Sequence, residues 1–264
     1  MNKIVAFIGA GNMAEALIRG LVAAKTGQII ATDVRAERLE QLHRAYGIET
    51  STDNTQAAAK ADIIVLAVKP QQMSVILKEL KVRSSQLVIS IAAGVKTSRI
   101  EHELGGEPRV VRTMPNTPAL VGAGAAAVCK GRFATEDDLA TAETILKAVG
   151  IVVRVEEKDL DAVTALSGSG PAYIFYMAEA MIAAGVEAGL PADVAKRLAV
   201  QTVFGAGALL AASGESPEQL RNRVTSPGGT TQAALKVMTE RGFAKIVADA
   251  IQVAARRSRE LSGG

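Results

Sequence analysis

The first part of the chain alternates short apolar runs with longer stretches in which apolar residues recur every three or four positions. The apolar runs are rich in Val, Ile and Leu, and they predict strands at 3–9, 28–33, 63–67, 87–91, 109–113, 124–128 and 151–155. Continuous runs of this kind are typical of a parallel sheet with helices on both faces.

One amphipathic helix is predicted between the first two strands. Its apolar residues follow the spacing of a single helix face, and they are Ala14, Leu17, Ile18, Leu21 and Val22. A strand, a helix and a strand in this order predict a right-handed βαβ unit.

From about Asp159 the strand signal stops and the sequence becomes rich in alanine with long helical periods. One apolar stripe comprises Phe243, Ile246, Val247, Ala250, Ile251 and Ala254. The segment 216–219 predicts a helix start, since Ser is a good cap, Pro suits the first turn and Gln follows three residues on. Gly189, Gly214 and Gly242 are predicted helix ends, and Pro171 should begin or kink a helix.

These patterns predict an α/β protein of two domains, with a Rossmann-type domain at 1–157 and an all-helical domain at 158–264. A helical segment this short cannot easily bury all of its apolar faces alone. We therefore expect a homo-oligomer built through the C-terminal helices, the alternative being a compact bundle packed on its own N-terminal domain.

A glycine-rich turn follows the first predicted strand and opens the first helix. Its G-x-G-x-x-A pattern comprises Gly9, Ala10, Gly11, Asn12, Met13 and Ala14. Gly9 permits the tight turn, Gly11 lets the backbone approach a pyrophosphate, and the small Ala14 lets helix and strand pack closely. Since strand, turn and helix occur in the required order, the pattern predicts a dinucleotide site at the helix N-terminus.

Asp33 and Arg35 follow the second strand, about where an acid normally binds the adenosine ribose. A carboxylate there favours NADH, because it accepts hydrogen bonds from the 2′-hydroxyl. Arg35 could instead neutralise the 2′-phosphate of NADPH. The choice between the two cofactors stays open at this point.

Three further loops are expected at the carboxyl edge of the sheet, where open α/β sheets bind ligands. They follow successive strands, and their candidate cofactor residues are Ala67, Val68, Lys69, Pro70, Ala92, Ala93, Gly94 and Asn116. Small residues let a flat ring approach the backbone, and the amide of Asn116 offers a donor and an acceptor.

Two small-residue segments mark the helical part. Residues 224–231 place two glycines before Thr230 and Thr231, which would expose helix N–H groups beside hydroxyls and suit a carboxylate. The same spacing also fits an ordinary capped helix. Residues 167–171 form a second start of this type, which could equally serve close packing.

Composition removes several classes of protein. Of 264 residues, 48% are hydrophobic, and 30 basic residues nearly balance 27 acidic ones, so a folded chain without a nucleic-acid surface is expected. The single Cys129 fits a reducing compartment, and we expect a cytoplasmic protein.

Glu15 and Arg19 interrupt the apolar start too early for a signal peptide, and no uninterrupted apolar run is long enough to span a membrane. His43 and His102 offer no cluster for a metal or a catalytic triad.

The order of these motifs closely resembles that of pyrroline-5-carboxylate reductases, from residue 3 to about residue 259. The segments that carry the resemblance are 9–14, 67–70, 92–94, 114–118, 165–173 and 226–231. The resemblance implies reduction of 1-pyrroline-5-carboxylate to proline by NADPH or NADH, with NADPH generally favoured in the family. It also implies dimers interlocked through the helical domain, often assembled into decamers.

Carried onto this sequence, the family pattern places the cofactor against Gly11, Asn12, Met13, Asn54, Ala67, Lys69 and Ala93. It places the substrate against Ser226, Gly228, Gly229, Thr230 and Thr231. Asp33 departs from the small polar residue often found near there. Because a protonated imine is already electrophilic, catalysis needs positioning and a proton donor more than a metal. We take Thr231 as the proton donor and the N–H groups of Gly229 and Thr230 as carboxylate ligands.

Two rival interpretations stay open on sequence alone. A β-hydroxyacid dehydrogenase would carry a Lys/Asn pair on its interdomain helix, where this chain has residues 167–171. A non-catalytic NAD(P)-binding regulator would keep Gly9 and Gly11 but would not need the 226–231 segment.

Overall fold

An eight-stranded sheet forms the centre of the N-terminal part in the computed structural model, which describes residues 3–262. The strands are β1 Ile4–Ile8, β2 Gln28–Thr32, β3 Glu49–Ser51, β4 Ile63–Leu66, β5 Leu87–Ser90, β6 Arg109–Met114, β7 Gly124–Lys130 and β8 Gly150–Arg154. They lie in the order β3-β2-β1-β4-β5-β6-β7-β8. The seven predicted strands are confirmed within one or two residues at each end.

The sheet is parallel except at one pair, since β7 runs antiparallel to β6 and parallel to β8. The connection between β6 and β7 contains only the short 3₁₀ segment Thr117–Val121, and a parallel crossover needs a dozen or more residues. The edge strand β3 was not predicted. Glu49, Thr50 and Ser51 are polar and only partly covered, so they carry no apolar signal.

Helices cover both faces of this sheet and bury two separate apolar layers. The helices of the chain are α1 Asn12–Ala23, α2 Ala36–Tyr46, α3 Asn54–Lys60, α4 Met73–Glu79, α5 Thr97–Leu104, α6 Glu136–Lys147, α7 Leu160–Val163, α8 Gly170–Glu187, α9 Ala192–Ser213, α10 Pro217–Arg223, α11 Thr230–Glu240 and α12 Phe243–Leu261. On α1 the predicted face is confirmed, with Ala14, Leu17, Ile18 and Leu21 buried. Val22 is 36% exposed.

The helical signals after residue 159 are also confirmed. Ser216 caps α10, and its hydroxyl and the side chain of Gln219 form the reciprocal capping pair that the spacing predicted. Gly189, Gly214 and Gly242 follow helix ends with positive φ. A π-helical turn, Thr164–Gly168, precedes α8, which begins at Gly170 beside Pro171.

The chain divides into two compact units. The first unit contains the sheet and consists of the chain up to Ser169 together with the chain from Val253 onward. The second unit is Gly170–Gln252. Within the first unit the Ser258 hydroxyl donates to Asp161 at 2.6 Å, near the end of α12. These units differ from the division predicted at 157/158, which stays a prediction. Met1, Asn2, Gly263 and Gly264, the ends of the two predicted domains, lie outside the described residues.

The helical unit Gly170–Gln252 has little buried apolar core of its own. Its buried hydrophobic residues are Ala195 and Ala199, whereas large apolar side chains such as Phe175, Tyr176 and Phe204 are more than 60% exposed. Among the described residues one helix, α9, is long and apolar enough by length and composition to cross a bilayer, a weak criterion that interior helices of water-soluble proteins also meet.

Candidate active site

The glycine turn and the loop after β4 lie in direct contact at the carboxyl edge of the sheet. Gly9 has φ of 98°, and an alanine Cβ at this position would stand 2.8 Å from the carbonyl oxygen of Ala67. Only glycine accepts both this backbone conformation and this close approach. The structure thus explains why the sequence has glycine at the first position of the motif.

The N-terminus of α1 presents free donors. Its N-cap Gly11 has no side chain to cap the helix, and the first backbone bond of the helix runs from Glu15 to Gly11. Within residues 3–262 the N–H groups of Asn12, Met13 and Ala14 therefore have no hydrogen-bond partner. A Cβ added at Gly11 would meet no atom within 4 Å. Open space beside uncapped helix donors fits a pyrophosphate, so these residues could hold a dinucleotide.

Asp33 is fixed at the end of β2 by four hydrogen bonds from two residues. Its carboxylate accepts from the Ala10 N–H at 3.2 Å, from the Arg35 N–H at 3.0 Å and from the Arg35 guanidinium at 2.9 and 3.0 Å. The hydrogen bonds from Arg35 lower the pKa of Asp33 to about 2 despite partial burial. Asp33 is therefore ionised at neutral pH, and Arg35 is paired with it rather than free for a phosphate.

Arg38 and Glu15 form a second ion pair at this corner, which was not predicted from the sequence. The Arg38 Nε donates to the Ala10 carbonyl at 2.8 Å, and its guanidinium contacts Glu15 at 2.5 Å. The hydrogen bond from Arg38 lowers the pKa of Glu15. The sequence signal that could have indicated this pair is a basic residue, Arg38, at helical spacing three positions after Arg35.

Asn54, the first residue of α3, accepts a hydrogen bond from the Thr32 hydroxyl at 2.6 Å, and this bond holds it to the end of β2.

The other predicted loops lie at the ends of neighbouring strands. Residues 67–70 follow β4 and residues 92–94 follow β5, the two strands that come after β1 in the sheet order. Lys69 is exposed, and its extended backbone precedes Pro70. The sheet thus brings the predicted cofactor loops to one edge.

The amide of Asn116, which was expected to offer a donor and an acceptor to a cofactor, is hydrogen-bonded within the protein. Its amide nitrogen donates to the Ser167 carbonyl at 3.0 Å, and its amide oxygen accepts from the Ala125 N–H at 2.8 Å. These two bonds join the loop after β6 to β7 and to the π-helical turn. Contact between this side chain and a cofactor stays a prediction.

In the helical unit, the predicted substrate residues form an uncapped helix start. Gly228 has φ of 72°, Gly229 is the N-cap of α11 without a side-chain cap, and the helix starts at Thr230. The Gly229 N–H already donates to the Ser226 carbonyl at 3.1 Å. This N–H is thus engaged within its own turn, and its binding of a carboxylate stays a prediction. Among the described residues, the N–H groups of Thr230 and Thr231 have no hydrogen-bond partner.

Cys129 and His43 are potentially reactive side chains outside the predicted site. Cys129 is buried, and this burial raises the pKa of its thiol to about 12, so it is not a nucleophile at neutral pH. The His43 ring lies 2.8 Å from the carbonyl oxygen of Ile48. Across residues 3–262, no three His, Cys, Asp or Glu side chains are grouped as a metal site would require.

A glycine turn, an uncapped first helix and an anchored acid at the end of β2 define a dinucleotide-binding oxidoreductase of the Rossmann type. Residues 4–94 match the model of the NADP oxidoreductase, coenzyme F420-dependent family, and residues 157–261 match that of the pyrroline-5-carboxylate reductase dimerisation family. The chain belongs to the pyrroline-5-carboxylate reductase family.

Relatives support this membership over the whole length. The pyrroline-5-carboxylate reductase of Synechocystis sp. is 43% identical, covering 99% of both chains. The structure of a pyrroline-5-carboxylate reductase from Coxiella burnetii superposes with a TM-score of 0.94 at 41% identity, with 99% of each chain covered. The structure of the Plasmodium falciparum pyrroline carboxylate reductase, solved with NADP bound, has a TM-score of 0.87 at 32% identity. The match covers 99% of this chain and 98% of the Plasmodium chain.

Proposed function

We propose that this protein reduces the C=N bond of 1-pyrroline-5-carboxylate to give L-proline, the last step of proline biosynthesis. The observation that carries the proposal is the full-length match to pyrroline-5-carboxylate reductases, 43% identical over 99% of both chains in one case. When bound, NADPH or NADH supplies a hydride to the imine carbon. The ring nitrogen takes up one proton, so the substrate gains two electrons and the nitrogen becomes a secondary amine.

The residues of the sheet edge fit the cofactor. The N–H groups of Asn12, Met13 and Ala14 would bind the pyrophosphate at the positive end of α1. The small residues of 67–70 and 92–94 leave room for a flat ring against the backbone. Asp33 and Arg35 would face the adenosine ribose, and their ion pair bears on the choice of cofactor.

The start of α11 fits the substrate carboxylate. The open N–H groups of Thr230 and Thr231 would hold it at a helix N-terminus, where negative charge is stabilised. Ser226, Gly228 and Gly229 shape the turn that precedes this helix, and the Gly228 N–H donates to the Gln232 side chain at 2.7 Å. We assign the Thr231 hydroxyl as the group that delivers a proton to the ring nitrogen.

The activity can be tested by following the absorbance of the reduced nicotinamide. With pyrroline-5-carboxylate as substrate we expect NADPH or NADH to be oxidised and proline to accumulate in equal amount. A panel of 3-hydroxy acids with the oxidised cofactor should give no turnover. Turnover of the hydroxy acids would favour a β-hydroxyacid dehydrogenase, and cofactor binding without turnover of either substrate would favour a regulator.

The helical part supports homo-oligomerisation, because the family model matched at 157–261 is one of dimerisation. We propose a homodimer through the helices of the unit Gly170–Gln252, which can assemble further into a decamer. Burying one large exposed apolar side chain there stabilises the pair by about 1.5–3 kcal/mol. We also propose a cytoplasmic enzyme that binds neither nucleic acid nor membrane.

Charge placed on α9 tests this pairing. Phe204 is 69% exposed, so Phe204→Glu should leave the fold intact but shift the sedimentation coefficient at micromolar concentration towards the monomer. Val75→Glu, at an apolar position of α4 that is 61% exposed in the sheet unit, is the matched control and should sediment like the wild type. A wild-type protein that sediments as a monomer would contradict the proposal.

A further inference from the structure

Arg112 is a buried charge with an incomplete set of partners. It lies on β6, and its side chain is 5% exposed. Among the described residues its guanidinium makes one hydrogen bond, to a carboxylate oxygen of Glu157 at 3.2 Å. A guanidinium has five N–H donors, and the nitrogens of Arg112 that lack a protein partner are not fully enclosed, so they open onto solvent. The free donors of Arg112 can therefore reach an acceptor that enters from outside the protein.

Glu157 does not fully supply that acceptor, because other donors share its carboxylate. The backbone N–H of Thr97 donates to one oxygen at 2.7 Å, and the Thr97 hydroxyl donates to the other at 2.8 Å. These bonds cap the start of α5, whose N-cap residue Lys96 provides no side-chain cap. Much of the negative charge of Glu157 is thus directed to the helix rather than to Arg112.

Arg112 and Glu157 line a cavity of about 360 Å³ in the sheet unit. Four cations and two carboxylates face it, namely Lys96, Arg112, Lys158, Arg259, Glu157 and Asp161. The two carboxylates already accept hydrogen bonds, that of Asp161 from the Ser258 hydroxyl. Lys158 also pairs with Glu156, but both side chains are 74% exposed, and such surface pairs are weak. The cavity therefore holds an excess of positive charge around a buried guanidinium.

We propose that this cavity, the Arg112 cavity, binds the phosphate group of a small molecule. The planar guanidinium fork matches two oxygens of a phosphate, and the ammonium groups of Lys96 and Lys158 supply point charges beside it. The excess of two positive charges in the lining matches a dianion rather than a single carboxylate. The cavity is large enough for a phosphate with a small organic group attached, so both inorganic phosphate and a phosphate monoester are candidate sources.

Calorimetric titration with inorganic phosphate tests the Arg112 cavity through two exposed residues, so the buried Arg112 need not be changed. In the double variant Lys96→Gln/Arg259→Gln we expect phosphate affinity to fall at least about fivefold, since each change removes one favourable charge contact. Arg257→Gln is the matched control, because Arg257 lies on the same helix but pairs with Glu260 and does not line the cavity. It should bind phosphate like the wild type.

The same titration distinguishes a phosphate ester from free phosphate as the ligand, and it distinguishes the Arg112 cavity from a phosphate site elsewhere in the protein. Tighter binding of glycerol 3-phosphate than of inorganic phosphate would identify an ester as the ligand, and equal binding would identify free phosphate. Equal phosphate affinity in the wild type and the double variant would overturn the proposal, because phosphate would then bind elsewhere, such as at α1. Stronger binding of succinate than of either phosphate would overturn it too. None of these outcomes depends on catalytic activity.

Discussion

Replacing Thr231 with valine should lower kcat by about 100-fold or more, because a positioned proton-transfer group typically contributes that much. Valine keeps the shape of the side chain and removes only the hydroxyl. In the part of the chain that the structure describes, this hydroxyl has no hydrogen-bond partner at the start of α11, and it is thus free to face a substrate nitrogen. Steady-state kinetics with pyrroline-5-carboxylate would measure the effect.

The kinetic pattern separates proton transfer from a structural role. Loss of a donor used in the transition state should lower kcat while KM for the substrate changes little, because the N–H groups that would bind the carboxylate are retained. Thr231→Ser should restore most of the rate. Thr239→Val is the matched control, since Thr239 lies on the same helix and its hydroxyl donates to the Leu235 carbonyl at 2.8 Å. Near wild-type turnover of Thr231→Val would remove the assigned role.

Most of the sheet could be predicted from the sequence because each central strand is a continuous apolar run. Burial on both faces by helices demands such runs, and β1, β4 and β5 are buried along nearly their whole length. Two features gave no such signal. The polar edge strand β3 is held mainly by its pairing with β2. The direction of β7 depends on the connection between β6 and β7, whose residues carry no pattern that predicts an antiparallel strand.

The candidate cofactor site was predictable where backbone conformation selects the residue. Gly9 needs a positive φ and a close approach to Ala67, and both requirements are visible in the sequence as glycine. Hydrogen-bond partners were not predictable, because they depend on side-chain directions between elements far apart in the chain. Asn116 satisfies its amide inside the protein, and the N–H of Gly229 is engaged within its own turn.

Arg112 shows a signal that could have been used. It stands between Val111 and Thr113 in a strand predicted to be buried, and a charged residue at such a position needs a partner or a ligand. The partner itself, Glu157, is 45 residues away in the chain. Sequence spacing alone therefore identifies the need but not the cavity.

Asp33→Asn should shift the cofactor preference towards NADPH. A carboxylate about 4 Å from a phosphate charge repels it by about 1 kcal/mol in water and about 4 kcal/mol at an effective dielectric near 20. Removing this repulsion should raise the ratio of kcat/KM for NADPH to that for NADH by about fivefold to several hundredfold. Asparagine is chosen because its oxygen can still accept from the Ala10 N–H, which keeps the glycine turn in place.

The change should also release Arg35. In the wild type the Arg35 guanidinium is held by both carboxylate oxygens of Asp33, and a neutral amide would bind it far less strongly. The freed cation could then pair with the 2′-phosphate, so Arg35→Met should lose most of the gain when combined with Asp33→Asn, and this double-mutant cycle measures the coupling. Glu40→Gln on α2 is the control for the loss of one negative charge.

Because the pKa of Asp33 is held at about 2, this group does not titrate between about pH 5 and 8. Its contribution to the ratio of kcat/KM for NADPH to that for NADH in the wild type should therefore stay constant over that range. An unchanged ratio in Asp33→Asn would show that the carboxylate does not face the ribose, and the ion pair with Arg35 would then serve only to hold the glycine turn.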